Sequence, residues 1–415
     1  MPDEQSKRTM ANSKGYDIRV VIGDVDYTSD VSRVRIVSSI TAPYQFISID
    51  LTIDEKDVIA KKLYGQEEIK LTMRWIGNDI KDTSKDDIKF TLVQLKETSV
   101  LRNESQSASD KSKEPSKCNI LTVPKEPLSI MSTVVNEIFE NKNPKEMVEA
   151  LSSKTKAKLV MDSDGVNTEK VKQVLIPPLT LYKAIKYIDD NFGIFKGATN
   201  LGFCQYDNSL TIINLTEKIK KSAQALTIYH IANDDPKTPE YTKKCVDGKS
   251  FCSFQPILND YIGNASLATM AYKINYVLKP TDVLYSLYTQ TFTDLAKRCA
   301  VMSKPGSPIY SDPILNTREI YHIPVGDEKR DSFVLAQTGR ALSSLSTMVV
   351  NLQMNIPITN LLKVGDIVKL DPRTPKFSDY AGMYILKSSD LEFTRESQSF
   401  GSQATVVLCR TNKTA

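Results

Sequence analysis

Catalysis by a nucleophile and a base draws most often on histidine, and this chain has two, His230 and His322, set among aliphatic and aromatic neighbours in TIYHIAN and IYHIPV. Such surroundings predict structural or surface imidazoles. The six cysteines, Cys118, Cys204, Cys245, Cys252, Cys299 and Cys409, show no CxxC spacing, and Cys245 and Cys252 lack a second pair to complete a zinc knuckle. Gly248-Lys249-Ser250 ends like a phosphate-binding loop, yet that loop needs a glycine where Lys243 stands. Asp162-Ser163-Asp164-Gly165 has the look of a calcium loop, but Val160 and Val171 occupy the first and last ligand positions, so a turn is expected. Carboxylates are plentiful, and nothing marks one pair as an acid and base. The expectation is a protein that is not an enzyme, with no catalytic residue, no cofactor and no metal ligand.

Composition narrows the class further. Hydrophobic residues at 40% and charged residues at 25% place the chain among folded globular proteins, away from disordered ones. A net charge of +4, from 54 Lys+Arg against 50 Asp+Glu, is too small at this length to announce a dedicated nucleic-acid or membrane-surface binder. No stretch reaches the roughly 18 apolar residues of a membrane-spanning helix, so no direct membrane span is expected. The polar opening MPDEQSKRTMANSKG has no apolar signal core, which predicts synthesis in a reducing cytoplasm and makes the Asn-x-Ser/Thr sequons at Asn103, Asn214, Asn264 and Asn412 chance occurrences.

The elements that carry these residues are mostly strands, and a chain of 415 residues predicts two to four domains. After a disordered tail at 1–15, residues 16–101 hold DIRVVIG, VSRVRIV, YQFISIDLTID, EIKLTMRW and DIKFTLVQL, rich in β-branched residues and separated by turn clusters. Ile47, Ile49, Leu51 and Ile53 alternate with Ser48, Asp50 and Thr52, as one buried and one wet face require. Residues 102–118, dominated by Ser, Lys, Glu and Asp, read as a linker or exposed loop. An α+β segment follows at 119–215. There Leu128, Met131, Val135, Ile138 and Phe139 fall at helical spacing, Pro144 is placed to open a second helix, Leu181 to Asn191 repeats the helical pattern, and Phe203 to Asn214 reads as a hairpin. Residues 233–330, rich in Pro, Asp and Tyr, form an inserted segment with a helix near Leu287 to Met302. Residues 216–232 and 331–412 make a second β unit, with a helix at Phe333 to Ser346 before its strands.

The two β units resemble each other. Val350, Leu352, Met354 and Ile356 alternate with Asn351, Gln353 and Asn355 just as the residues from Ile47 to Ile53 do, and each such strand precedes a Gly-headed strand and a longer one. Alternation is generic to antiparallel sheets, so duplication and plain similarity both account for the pattern.

One segment carries family character. LIPPLTLYKAIKYIDDNFGIFKG, Leu175 to Gly197, followed by FCQYDNSLTIINL, resembles the middle region of the baseplate central hub proteins of contractile-tailed, T-even-like bacteriophages; VGDIVKL, YAGMYILKSSDLEFTRES and ATVVLCRT resemble the end of the hub. The resemblance implies a mainly β fold with α+β insertions: two tube-like antiparallel β-barrels, with mixed domains between. It further implies a homotrimer whose six barrels match the six-fold tail tube, seated on a trimeric central spike that often carries a lysozyme. The implied partners are the tail tube or tube-initiator protein, baseplate wedge proteins and the tape measure protein, with DNA in transit, in a virion assembled in the host cytoplasm. Ser48, Asp50, Thr52, Asn351, Gln353 and Asn355 then become candidate lumen-facing residues, and Asp50 would repel a sliding phosphate backbone. An ordinary solvent-facing role fits the same six residues. The hub of a tailocin or a type VI-like secretion system is the alternative, separated by a fused spike, whereas this chain ends at Ala415 just after its last strand. A tail-associated cell-wall hydrolase is a third reading, against which the missing motifs stand.

Overall fold

The computed structural model describes residues 15–53 (except 41 and 43), 67–76, 88–95, 99–101 and 116–214 (except 157, 196–198 and 202–208). It further describes 226–230, 250–253, 260–261, 348–354, 363–373 and 378–410 (except 379). Helices expected near 287–302 and 333–346 lie outside these residues, as do His322, Cys204, Cys245, Cys299 and Asn355.

The chain begins with β1 (Gly15–Ile22), β2 (Val25–Asp26), β3 (Val31–Ser39), β4 (Phe46–Ile53), β5 (Ile69–Ile76), β6 (Ile88–Gln94), β7 (Ser99–Leu101) and β8 (Ser116–Pro124). Alternation drives these strands: in β4 every isoleucine and leucine is buried, while Ser48, Asp50 and Thr52 stay half-exposed on the opposite face. Register follows from that pattern, since a one-residue slip would turn the buried set outward. Ile49 accordingly sits opposite Val34 on β3 and Ile120 on β8.

A mixed unit comes next: α1 (Lys125–Ser132), β9 (Val134–Lys142), α2 (Pro144–Ser152), β10 (Lys158–Met161), β11 (Val171–Thr180), α3 (Leu181–Phe192), β12 (Thr199–Leu201) and β13 (Ser209–Asn214). The helical spacing read from Leu128 through Phe139 holds only to Ser132. Beyond it Val134 and Val135 favour extended backbone, and Val135 and Phe139 reach the core from a strand paired with β11. Pro177 and Pro178 lie where that pairing is bulged, because proline has no N–H for a ladder. Helix α2 opens as its sequence foretells. Pro144 takes the first helical position, the Asn143 side chain accepts from Glu146 N at 2.9 Å, and Asn143 N donates to Glu146 Oε2 at 3.0 Å. Strand β12 pairs antiparallel with β13, while residues 203–208 of the expected hairpin lie outside the described residues.

The remaining strands are β14 (Leu226–His230), β15 (Ser250–Ser253), β16 (Asp260–Tyr261), β17 (Met348–Met354), β18 (Ile367–Pro372), β19 (Gly382–Glu396) and β20 (Ser399–Arg410). They make the fold mainly β. Following the pairings from β19 through β3, β4, β8, β6, β5, β1 and β20 leads back to β19, a cyclic order of eight strands. The first ring thus takes β8 from beyond residue 101 and two staves from the far end of the chain. Gly15 lets β1 and β20 meet: a Cβ there would stand 2.9 Å from the Phe400 carbonyl oxygen. Tyr16 seals the same seam with its ring edge-on to Phe393 at 5.0 Å.

The other half of the β19–β20 hairpin holds β18 and β17, and β14, β15 and β16 extend from them, so that one sheet of 15 strands contains both β units. The pairs β14–β18 and β14–β15 are parallel, a departure from the all-antiparallel expectation. Strands β15 and β16, read from sequence as part of an insertion, pair within this sheet. A single buried core runs through both units, from Ile18, Ile49 and Phe393 to Ile228, Val368 and Leu370. Full burial of each such side chain stabilises by about 1.5–3 kcal/mol.

Candidate functional site

The wet face of β19, β3 and β4 carries the most developed polar arrangement among the described residues, and it contains half of the six predicted site residues. Alternation in VSRVRIV sends Val34 and Ile36 inward and Arg33 and Arg35 outward. Arg33 Nε donates to Asp50 Oδ2 at 2.7 Å, and its Nη1 reaches Glu392 Oε1 at 3.5 Å. Arg35 grips Asp390 with two bonds, Nε to Oδ1 at 2.8 Å and Nη2 to Oδ2 at 2.5 Å. Asn119 Nδ2, on β8, donates to Asp50 Oδ1 and to Ser48 Oγ, the latter at 2.7 Å.

The electrostatics follow from these partners. Burial pulls the Arg33 guanidinium downward, but its hydrogen bond to Asp50 and the charges of Asp50 and Glu392 hold it above the ordinary value. Arg35 is raised chiefly by its hydrogen bond to Asp390. Two guanidinium groups therefore face three carboxylates, leaving a single negative charge. These pairs are partly solvated, with side chains 21–47% exposed, and each is worth about 1 kcal/mol or less.

Asp50 thus sits in a network of three carboxylates and two guanidinium groups. Thr52 shares the wet face with Ser48 and Asp50. Asn351 and Gln353 lie on β17 opposite Val407 and Thr405 of β20, away from that face along the sheet. Arg33, Arg35, Asn119, Asp390 and Glu392 were missed. Alternation could have flagged each as outward-facing, but their convergence depends on which strands are neighbours.

Other candidates resolve into structure. The thiol of Cys118, buried on β8, is pushed up to about 11 by burial and then by the charge of Asp50, so it is a poor nucleophile near neutral pH. Asp162 accepts from Asn214 N at 2.8 Å, and Asn214 Nδ2 donates to the Asp164 carbonyl at 2.9 Å, so the loop ending in Gly165 serves to hold β13. His230 is buried on β14, where its carbonyl accepts from Arg373 N at 2.9 Å. Among the described residues no group of three or more His, Cys, Asp or Glu could hold a metal ion, and no helix is long and apolar enough to cross a membrane.

Comparison with solved structures bears on the whole architecture. The tail protein from Neisseria meningitidis MC58 superposes with a TM-score of 0.52 at 10% identity, covering 95% of this chain and 97% of its own. The 43 kDa tail protein of prophage MuSo2 from Shewanella oneidensis gives 0.51 at 10% identity, covering 97% and 99%. The chain has the fold of these tail proteins. Residues 66–246 also match the family model of the Bacteriophage PBS1 gene 109 protein, over part of the first β unit and the mixed unit. No curated protein matches by sequence.

Proposed function

We infer that the chain is a structural component of a phage tail and, more specifically, the central hub of a contractile-tail baseplate. The observation that carries the reading is the β19–β20 hairpin, which ties a closed ring of strands to a second β unit within one sheet. A protein that matches a six-fold tube to a three-fold spike needs two tube-like units per subunit held at fixed spacing, and three subunits then present six. Similarity to two tail proteins over nearly the full length supports the tail assignment. In this reading the chain is a homotrimer that meets the tube or its initiator on one side, and the central spike on the other. Wedge proteins surround it, and tape measure protein and DNA pass through it in the virion. No catalytic step is assigned to the chain.

The mass in solution tests this reading. Light scattering behind a sizing column, on the purified chain alone and mixed with the spike protein of the same genome, should report three copies in at least one of the two samples. A monomer in both would overturn the hub reading.

A further inference from the structure

The mixed unit holds two short sheets, and two of their strands pair along one edge only among the described residues: β9 with β11, and β10 with β13. The outer edge of each leaves backbone N–H and C=O groups open to another strand. The far edge of β11 is blunted by Pro177 and Pro178, leaving β9 as the edge from which its sheet can grow. Large apolar side chains stand in water beside both open edges. Ile138 and Leu175, directly opposite each other on β9 and β11, are 59% and 58% exposed, and Val160 on β10 is 37% exposed.

The two edges are complementary. Laid antiparallel with Ile138 opposite Val160, they set Glu140 opposite Lys158, Phe139 opposite Leu159 and Glu137 opposite Met161. Exposed Ile138 and Glu140 then meet exposed Val160 and Lys158, and core-packed Phe139 meets core-packed Leu159, as a continuous sheet requires. Glu140 and Lys158 have no ion-pair partner among the described residues, whereas Glu137 is already held by Lys154. A slip of two residues puts Ile138 opposite Lys158 in one direction and Lys142 opposite Lys158 in the other, so the side chains select this register. Two copies of β9 paired antiparallel with each other would close as a dimer and leave β10 open.

We propose that β9 of one copy joins β10 of the next edge to edge, so that a second copy of this chain covers the apolar face of Ile138 and Leu175 and the mixed units link into a closed ring. Each copy supplies one edge of each kind, the head-to-tail arrangement from which rings are built. That the ring has three members rests on the hub reading; the pairing of the edges does not.

The test follows assembly of the full chain by light scattering behind a sizing column, alone and with the spike protein of the same genome, in charge-reversed variants. E140K and K158E each set like charges opposite one another and should weaken assembly by at least about tenfold. The double variant E140K/K158E reverses the pair and should restore it. Both positions are exposed in the single chain, so the fold should tolerate either change, with unaltered unfolding midpoints as the check. Wild-type assembly in both single variants, or a double variant no better than the singles, would overturn the proposal while a count of three copies upheld the hub reading. Assembly that follows the charge swap but numbers other than three would overturn the hub reading and uphold the pairing. A wild-type monomer in both samples would overturn both.

Discussion

Gly365 lies so close to Ile213 that a Cβ on the glycine would stand 2.5 Å from the isoleucine Cδ1. The pair joins separate units: Ile213 ends the mixed unit on β13, while Gly365 leads into β18, and a small core of Ile40, Ile213, Val364 and Ile385 gathers residues from all three parts of the fold. Gly365 also has φ +91°, a region that L side chains seldom adopt. Gly365→Ala should therefore cost about 2–4 kcal/mol from backbone strain and overpacking. Ile213→Val removes the obstructing methyl and should recover part of that loss in the double variant, a coupling that independent sites would not show. Hydrogen exchange at residues 209–214 and 363–370, with denaturant midpoints, is the measurement. Additive losses would count against the contact.

Arg395 fastens the turn between β2 and β3 to the ring seam. Its Nε donates to the Val31 carbonyl at 2.6 Å, its Nη2 donates to the Thr28 carbonyl, and the guanidinium lies 4.8 Å from the centre of the Phe400 ring. Charged hydrogen bonds of this kind are worth about 1.5–3 kcal/mol each when lost. Arg395→Gln should lower the unfolding midpoint and speed exchange in β3 and around Tyr16. Arg395→Lys should rescue little, because an ammonium cannot reproduce the planar fork.

Cys118 supplies a pH signature. Its folded-state pKa, about 11, lies above the ordinary 9.0 because burial disfavours the thiolate, with the Asp50 charge adding to it. The thiol's contribution to stability is fully present below the ordinary value and is lost as pH rises through the folded one, since the unfolded chain ionises first. Between pH 9 and pH 11 wild type should lose roughly 2–3 kcal/mol more than Cys118→Ala does. At pH 8 the native thiol should react with a disulfide reagent only at the rate of local opening. Rapid labelling of Cys118 in the native chain would contradict this.

Local pattern made much of the fold legible. The alternation from Ile47 to Ile53 defined β4 and its faces, Pro144 marked the start of α2, and the periodicity from Leu181 defined α3. Where two signals overlapped, pattern misled. Leu128 to Phe139 satisfies a helical period, yet paired valines and a waiting partner strand turned its second half into β9. Half of the candidate site was legible too: Ser48, Asp50 and Thr52 do share a wet face, but Arg33, Arg35, Asp390 and Glu392 escaped notice because nothing local says that β3 lies between β4 and β19.

By itself the sequence determined which faces are buried, that strands dominate, and where its helices α2 and α3 begin, because each depends on periodicity and on a first-turn proline within a few residues. Only the tertiary structure decided that the C-terminal hairpin closes a ring begun at Gly15, that both β units share one sheet, and that Asp50 pairs with Arg33. The physical reason is that alternation specifies a face but not a partner. Strand edges are satisfied by whichever segment offers matching register and burial, and here that segment arrives from the far end of the chain.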